Sequence, residues 1–130
     1  MDKSSIRKEA KLYFMPFILG DEKRAHNLSK KIYRKYGITC FILDSKMTLA
    51  SIFDFSSRFL RLSDAQSDEI ITKEIIHFAK QEPYTLPILI PCSEKYRGIV
   101  ERNRTCLETT FVLSSEDTAL ISSPLNVIPQ

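Results

Sequence analysis

The sequence predicts an α/β three-layer sandwich on a mostly parallel sheet of about five strands, with helices on both faces. Three features carry the prediction. Short apolar runs of strand length alternate with segments of 3.6-residue periodicity, the order of a parallel sheet whose strands are joined by crossover helices. The runs are apolar throughout rather than at every second residue, as expected of strands covered on both faces. Glycine, proline or aspartate follows most runs and marks where the chain leaves the sheet.

The elements follow in order. Leu12 to Leu19 is an apolar run ending at Gly20-Asp21, with Pro16 as a blemish because it lacks an N–H for the ladder. From Glu22 the period changes, and Ala25, Leu28, Ile32, Tyr33 and Tyr36 share one helix face. Asp21 is the expected N-cap and Gly37 the expected left-handed C-cap. Ile38 to Leu43 reads as a buried parallel strand, closed by Asp44-Ser45. Residues 46–58 have no clear period, yet Met47, Leu49, Ile52, Phe53 and Phe55 are apolar enough to be expected over the core. Phe59 to Leu62 is a short strand, and Ser63 or Asp64 opens a helix with Ile71, Ile75, Phe78 and Ala79 inward, ending before Pro83. Leu86 to Ile90 is the clearest strand, closed by Pro91-Cys92-Ser93, and the helix after it turns Tyr96, Ile99, Val100 and Leu107 inward. Thr110 to Leu113 is a last strand, and Ser114 and Asp117 have capping-box spacing.

A chain of 130 residues fits one domain at roughly 100–200 residues each, here residues 1–121 with an extended tail over 122–130. With 43% apolar residues, three glycines and six prolines, it can bury a core and is not low-complexity. No apolar run approaches the ~20 residues of a membrane span, and Met1 to Lys11 is charged with no apolar signal core behind it. A cytoplasmic chain with no membrane partner is expected. Cys40, Cys92 and Cys106 are odd in number and form no C-x-x-C pair, which fits reduced thiols rather than disulfides or zinc. The net charge of +3 is uneven: residues 1–40 hold ten Lys/Arg against four Asp/Glu, and residues 41–130 nine against twelve. Most of the basic excess lies on the outer side of the first helix, where a solvated face is the preferred reading over a nucleic-acid surface formed by Lys23, Lys30, Lys31, Arg34 and Lys35.

In parallel sheets ligands gather beyond the carboxyl ends of the strands, where strand order reverses. Gly20-Asp21-Glu22 precedes a helix N-terminus that favours anions, but three glycines at 20, 37 and 98 leave no G-x-G-x-x-G and no P-loop. A tight turn with an N-cap is the preferred reading. Asp44 stands where nucleotide-binding folds place a ribose-binding acid, and aspartate after a strand is more commonly a turn former. Asp21, Asp44 and Asp64 together suggest the acidic pocket of a receiver domain, although Ser114-Ser115-Glu116 stands where its lysine is expected. Cys92 precedes a helix, a setting that lowers a thiol pKa, but neither His26 nor His77 is tied to it by a motif, and both are read as ordinary helix positions. Cys40 and Cys106 are read as small buried hydrophobes. Phe53, Phe55 and Phe59 are read as core rather than as a base-stacking platform.

Three segments align in order with a known family. Phe17-Ile18-Leu19-Gly20-Asp21, Tyr36-Gly37-Ile38 with the strand after it, and Leu89-Ile90-Pro91-Cys92-Ser93-Glu94-Lys95-Tyr96 resemble the N-terminal region of ATP-grasp carboxylate-amine ligases of the D-aspartate ligase-like kind, across most of the chain. Phe111-Val112-Leu113 is similar to that family's exit into its next domain. The resemblance implies a preATP-grasp domain, a Rossmann-like unit ahead of two ATP-grasp lobes that hold ATP and magnesium. In the family a carboxylate is phosphorylated and the acylphosphate is attacked by an amine. Carried over by position, the implied substrate-binding residues are Gly20, Asp21, Pro91, Cys92 and Ser93, with no catalytic residue and no metal ligand. Ser93 and Lys95 depart from the family, which usually has glycine and an acid there. The implied partners are the C-terminal ATP-grasp lobes and a small carboxylate or amine substrate. Nucleic acid is not expected, and homodimer formation stays open. Ligase turnover and tight ATP-Mg binding are not expected of these 130 residues alone; a non-enzymatic interaction or receiver-like module is the alternative.

Overall fold

In a computed structural model that describes residues 14–82 and 85–115, five strands form one sheet: β1 (Phe14–Leu19), β2 (Cys40–Asp44), β3 (Ser57–Arg61), β4 (Leu86–Pro91) and β5 (Val112–Leu113). The order is β3-β2-β1-β4-β5, and every pair is parallel. The helices are α1 (Lys23–Tyr36), α2 (Leu49–Phe53), α3 (Asp68–Lys80), α4 (Glu94–Arg102) and α5 (Arg104–Leu107). This is the Rossmann-like α/β sandwich that the alternating pattern predicts.

Strand order reverses between β1 and β4. Right-handed crossovers then place the first connections on one face of the sheet and the later ones on the other, and the buried residues divide in that way. On one face Ala25, Leu28, Ile32 and Tyr36 of α1 meet Phe14, Ile18, Cys40, Ile42, Ile88 and Ile90. On the other, Ile71, Ile75 and Ala79 of α3, Tyr96, Ile99 and Val100 of α4 and Leu107 of α5 meet Phe17, Leu19, Leu43 and Leu89. Successive strand residues point to opposite faces, so apolar side chains are needed at both, and the unbroken runs follow. Pro16 is tolerated because β1 pairs with β4 along all six residues but with β2 only from Phe17 onward.

Several elements differ from expectation. Helix α1 begins after Glu22, which makes no side-chain cap bond; Asp21 is not the N-cap because its carboxylate turns inward. Gly37 is the left-handed C-cap, at φ 69°, with its N–H on the Tyr33 carbonyl. Tyr33 lies 48% exposed, and the inward flank next to it carries Ser29 instead. The helix expected from Ser63 or Asp64 starts at Asp68, and the Ser63 N–H and hydroxyl are donated to the Glu74 carboxylate. Phe78 is half-buried rather than fully inward. Cys106 is exposed rather than buried. The last strand is two residues long. The segment expected to cover the core does not: α2 buries none of its residues, and Met47, Leu49, Ile52, Phe53 and Phe55 are exposed. Leu12, Tyr13, the capping-box residue Asp117 and the tail 122–130 lie outside the described residues.

Candidate functional site

The carboxyl ends of β1, β2 and β4 are laced by backbone hydrogen bonds. The Gly20 N–H donates to the Leu43 carbonyl at 2.8 Å, and the Cys92 N–H to the Leu19 carbonyl at 2.8 Å. Gly20 has φ +109°, and a Cβ there would stand 3.3 Å from Cβ and Oγ of Ser93. The turn after β1 therefore needs glycine for its backbone conformation and for room against the turn after β4. Ser93 caps α4, its oxygen accepting the Tyr96 N–H at 3.3 Å.

Asp44 ends β2 and organises the same rim. It takes the Asp21 N–H at 2.8 Å and the Tyr96 hydroxyl at 2.9 Å. The Asp21 N–H, in the turn before α1, is thus bonded to a carboxylate of the chain. Burial pushes the Tyr96 phenol above its ordinary value, and the Asp44 charge adds to the effect.

Behind this rim lies a buried charged cluster. His26, on the first turn of α1, has Nε2 2.5 Å from Asp21 Oδ1 and Nδ1 2.5 Å from Asp54 Oδ2. All three residues are buried. Both ring nitrogens face carboxylates, and only the doubly protonated ring donates at both. Asp21 also accepts the Thr48 N–H at 2.7 Å, the Thr48 hydroxyl at 2.9 Å and the Ser51 hydroxyl at 2.8 Å. Asp54 also accepts from the Ser56 N–H at 2.9 Å, the Ser56 hydroxyl at 2.5 Å and the Ser57 hydroxyl at 3.0 Å. One turn further along α1 the Ser29 hydroxyl reaches the Ser56 carbonyl at 3.0 Å. Burial raises the pKa of both carboxyls, but these donors outweigh it and hold both below the usual carboxylate range. For Asp21 the Thr48 amide leads, and for Asp54 it is His26.

Ser51, His26 and Asp54 have the side chains of a nucleophile relay, with Ser51 Oγ 3.3 Å from Nε2. The geometry argues for a clamp instead. Asp21 stands closer to the same nitrogen, and the Ser51 hydroxyl donates to Asp21 at 2.8 Å, so its proton is directed at a carboxylate rather than at Nε2. Among the described residues no group of three or more His, Cys, Asp or Glu is arranged to hold a metal ion.

An open cleft of about 460 Å³ lies between the β3–α3 loop and α4, lined among others by Asp64, Asp68, Glu94, Lys95, Gly98 and Arg102. Arg102 is tied to Asp68, Nε to Oδ2 at 2.7 Å. Acids and bases thus share one wall.

The residues singled out from sequence fall into separate places. Gly20, Pro91 and Ser93 lie together at the rim, Pro91 opposite Leu19 in register. Asp21 is beside them but is consumed by the buried cluster. The Cys92 side chain is fully buried in the α1-side core. Cys40 is buried there too, and burial pushes its thiol up to about 12, which disfavours the thiolate. Asp64 lines the cleft beside α4 and is not among the partners of Asp21. Phe53 and Phe55 are exposed, contrary to the core reading, whereas Phe59 is half-buried. His26 is no ordinary helix position. Its signal lies in the sequence: His26 and Ser29 interrupt the otherwise apolar inward face of a basic helix, and a run rich in Ser and Thr with one Asp follows β2. Among the described residues no helix is long and apolar enough to cross a membrane. No family model, curated protein or solved structure matches the chain, and its place rests on architecture: a five-strand all-parallel α/β domain of Rossmann-like form.

Proposed function

We propose that this domain positions a small carboxylate or amine substrate, an amino acid among them, and acts together with C-terminal ATP-grasp lobes, as the N-terminal unit of a carboxylate-amine ligase that works through an acylphosphate. The observation that carries the reading is the cleft beside α4. It is lined by Glu94 and Lys95, which directly follow the implied substrate residues Pro91, Cys92 and Ser93, although Lys95 departs from the family and none of those three lines the cleft. It offers acidic and basic side chains within one small volume. An amino acid carries both complementary charges, and fixed groups of opposite sign give such a molecule one orientation. The rim supports a positioning role. Its turns are pinned by Gly20 against Ser93 and by the Tyr96–Asp44 bond, so it is a rigid wall. ATP and magnesium would be held by the other lobes, where a triphosphate clamp has to be built.

Two features favour this over a receiver-like module. The strand order reverses between β1 and β4, whereas receivers reverse between their first and third strands. The Asp21 oxygens already accept four hydrogen bonds from protein donors, which leaves a poor phosphoacceptor.

The test is titration of the 130-residue chain with a panel of D- and L-amino acids, followed by amide NMR shifts, beside calorimetry with ATP-Mg. Weak, saturable shifts confined to residues 64–68 and 94–98, abolished in Lys95→Glu, are the expected result, with little heat from ATP-Mg. Silence of these amides toward every amino acid, or tight stoichiometric ATP-Mg binding, overturns the proposal.

A further inference from the structure

The segment that joins β2 to β3 turns its apolar side chains to solvent. Leu49 is 73% exposed, Ile52 58%, Phe53 72% and Phe55 94%, with Met47 beside them. These are five large apolar residues within nine positions, a concentration well beyond the scattered exposure normal for a surface. Residues 45–57 contain one acid and one base, Asp54 and Lys46. Asp54 is buried against His26, Ser56 and Ser57, so the charge left at the surface of the segment is Lys46. Helix α1 lies alongside α2. His26 and Ser29 mark the α1 flank that faces the segment, since they bond Asp54 and Ser56. Lys30, four residues after His26, and Tyr33, four after Ser29, continue that flank by helix periodicity; both are exposed, and Tyr33 adds another apolar ring.

From this surface we infer that residues 46–55 with the adjoining flank of α1 attach the domain peripherally to an anionic lipid bilayer. Protruding aliphatic and aromatic tips flanked by lysines match the interface of such a bilayer, which takes side chains without a shaped pocket and attracts cations to its headgroups. Two other occupants fit less well. A second copy would bring lysine-bearing rims together. Single-stranded nucleic acid would use the phenylalanines for stacking but leaves Met47, Leu49 and Ile52 unused. This attachment involves no membrane span and does not depend on the cleft beside α4.

The test is flotation of the folded 130-residue chain with vesicles of phosphatidylcholine alone and of phosphatidylcholine mixed with phosphatidylserine. Binding to the anionic vesicles is expected, falling steeply between about 50 and about 500 mM salt. The double substitutions Phe53→Ser with Phe55→Ser, and Lys30→Glu with Lys46→Glu, should each reduce the bound fraction roughly tenfold, with far-ultraviolet circular dichroism unchanged. All four residues are exposed, so the fold should survive. Failure of the folded wild-type chain to float with anionic vesicles overturns the inference, as does equal binding to neutral vesicles or binding indifferent to the phenylalanine pair. Binding of single-stranded oligonucleotides in place of vesicles, or a dimer dispersed by the phenylalanine substitutions, assigns the surface to that other occupant and overturns it equally.

Discussion

Helix α3 and the segment holding α2 are both connections that leave the sheet and return to it, yet they are attached by opposite means. Helix α3 buries Ile71, Ile75 and Ala79 against Phe17, Leu19, Leu43 and Leu89. Helix α2 buries no residue. Its anchors are polar: Thr48 and Ser51 donate to Asp21, and Asp54 is bound to His26. Where apolar contact does the holding, the helix shows its period in the sequence and hides its hydrophobic side chains. Where hydrogen bonds to buried charges do it, the apolar side chains are released to the surface and the period disappears.

The contrast can be broken most directly at His26. In His26→Ala, two buried carboxylates each lose the ring nitrogen they face, and leaving a buried carboxylate without its partner costs about 3–5 kcal/mol. Urea denaturation should show a loss of this size, and hydrogen exchange should quicken first in residues 46–57. A loss below about 1 kcal/mol means that the cluster is not the anchor.

The same cluster sets an acid limit. Asp21 and Asp54 sit below their ordinary pKa of 3.8 in the folded chain. A carboxyl depressed by folding contributes stability above its unfolded value and loses that contribution as pH falls through the lower folded value. Stability should therefore decline from about pH 4 downward. Asp54→Asn should be less stable at pH 7 and flatter through this range. An unchanged acid limb in that variant contradicts the assignment.

On the apolar side, Ile75→Ala empties a fully buried site and should cost about 2–5 kcal/mol. Ile52→Ala in α2, on a residue 58% exposed, should stay within about 0.5 kcal/mol. Matched urea midpoints for these two isoleucines measure the difference between the regions, and similar losses at both erase it. Between the two extremes stands Tyr96→Phe, which removes a 2.9 Å bond to Asp44 and should cost about 1.5 kcal/mol. A Phe variant as stable as the parent shows that the rim does not depend on this bond.

How much was legible follows from the same physics. Strands β1, β2 and β4 and helices α1, α3 and α4 announce themselves because each buries a continuous run or a periodic stripe, whereas β3 runs from Ser57 to Arg61 instead of Phe59 to Leu62 and has no fully buried residue. Errors cluster at the ends of elements: α3 starts at Asp68 rather than after Ser63 or Asp64, and Ser63 instead bonds Glu74 eleven residues later, a pairing no local pattern reveals. Of the candidate site, Gly20, Pro91 and Ser93 were readable as strand tips. The His26 cluster was not read, because its members are 5, 28 and 33 positions apart along the chain and their residue types are ordinary in turns and helices.

By itself the sequence determined the α/β class, the parallel strands and the helix that ends at Gly37, since these follow from local burial needs and backbone preference. The tertiary structure alone decided which polar residues meet, that Asp21 bonds inward instead of capping α1, and that Leu49, Ile52, Phe53 and Phe55 face outward. The reason is the cost of buried charge: once Asp21, His26 and Asp54 are enclosed, their mutual pairing outranks both the capping preference of an aspartate and the tendency of an apolar segment to turn inward.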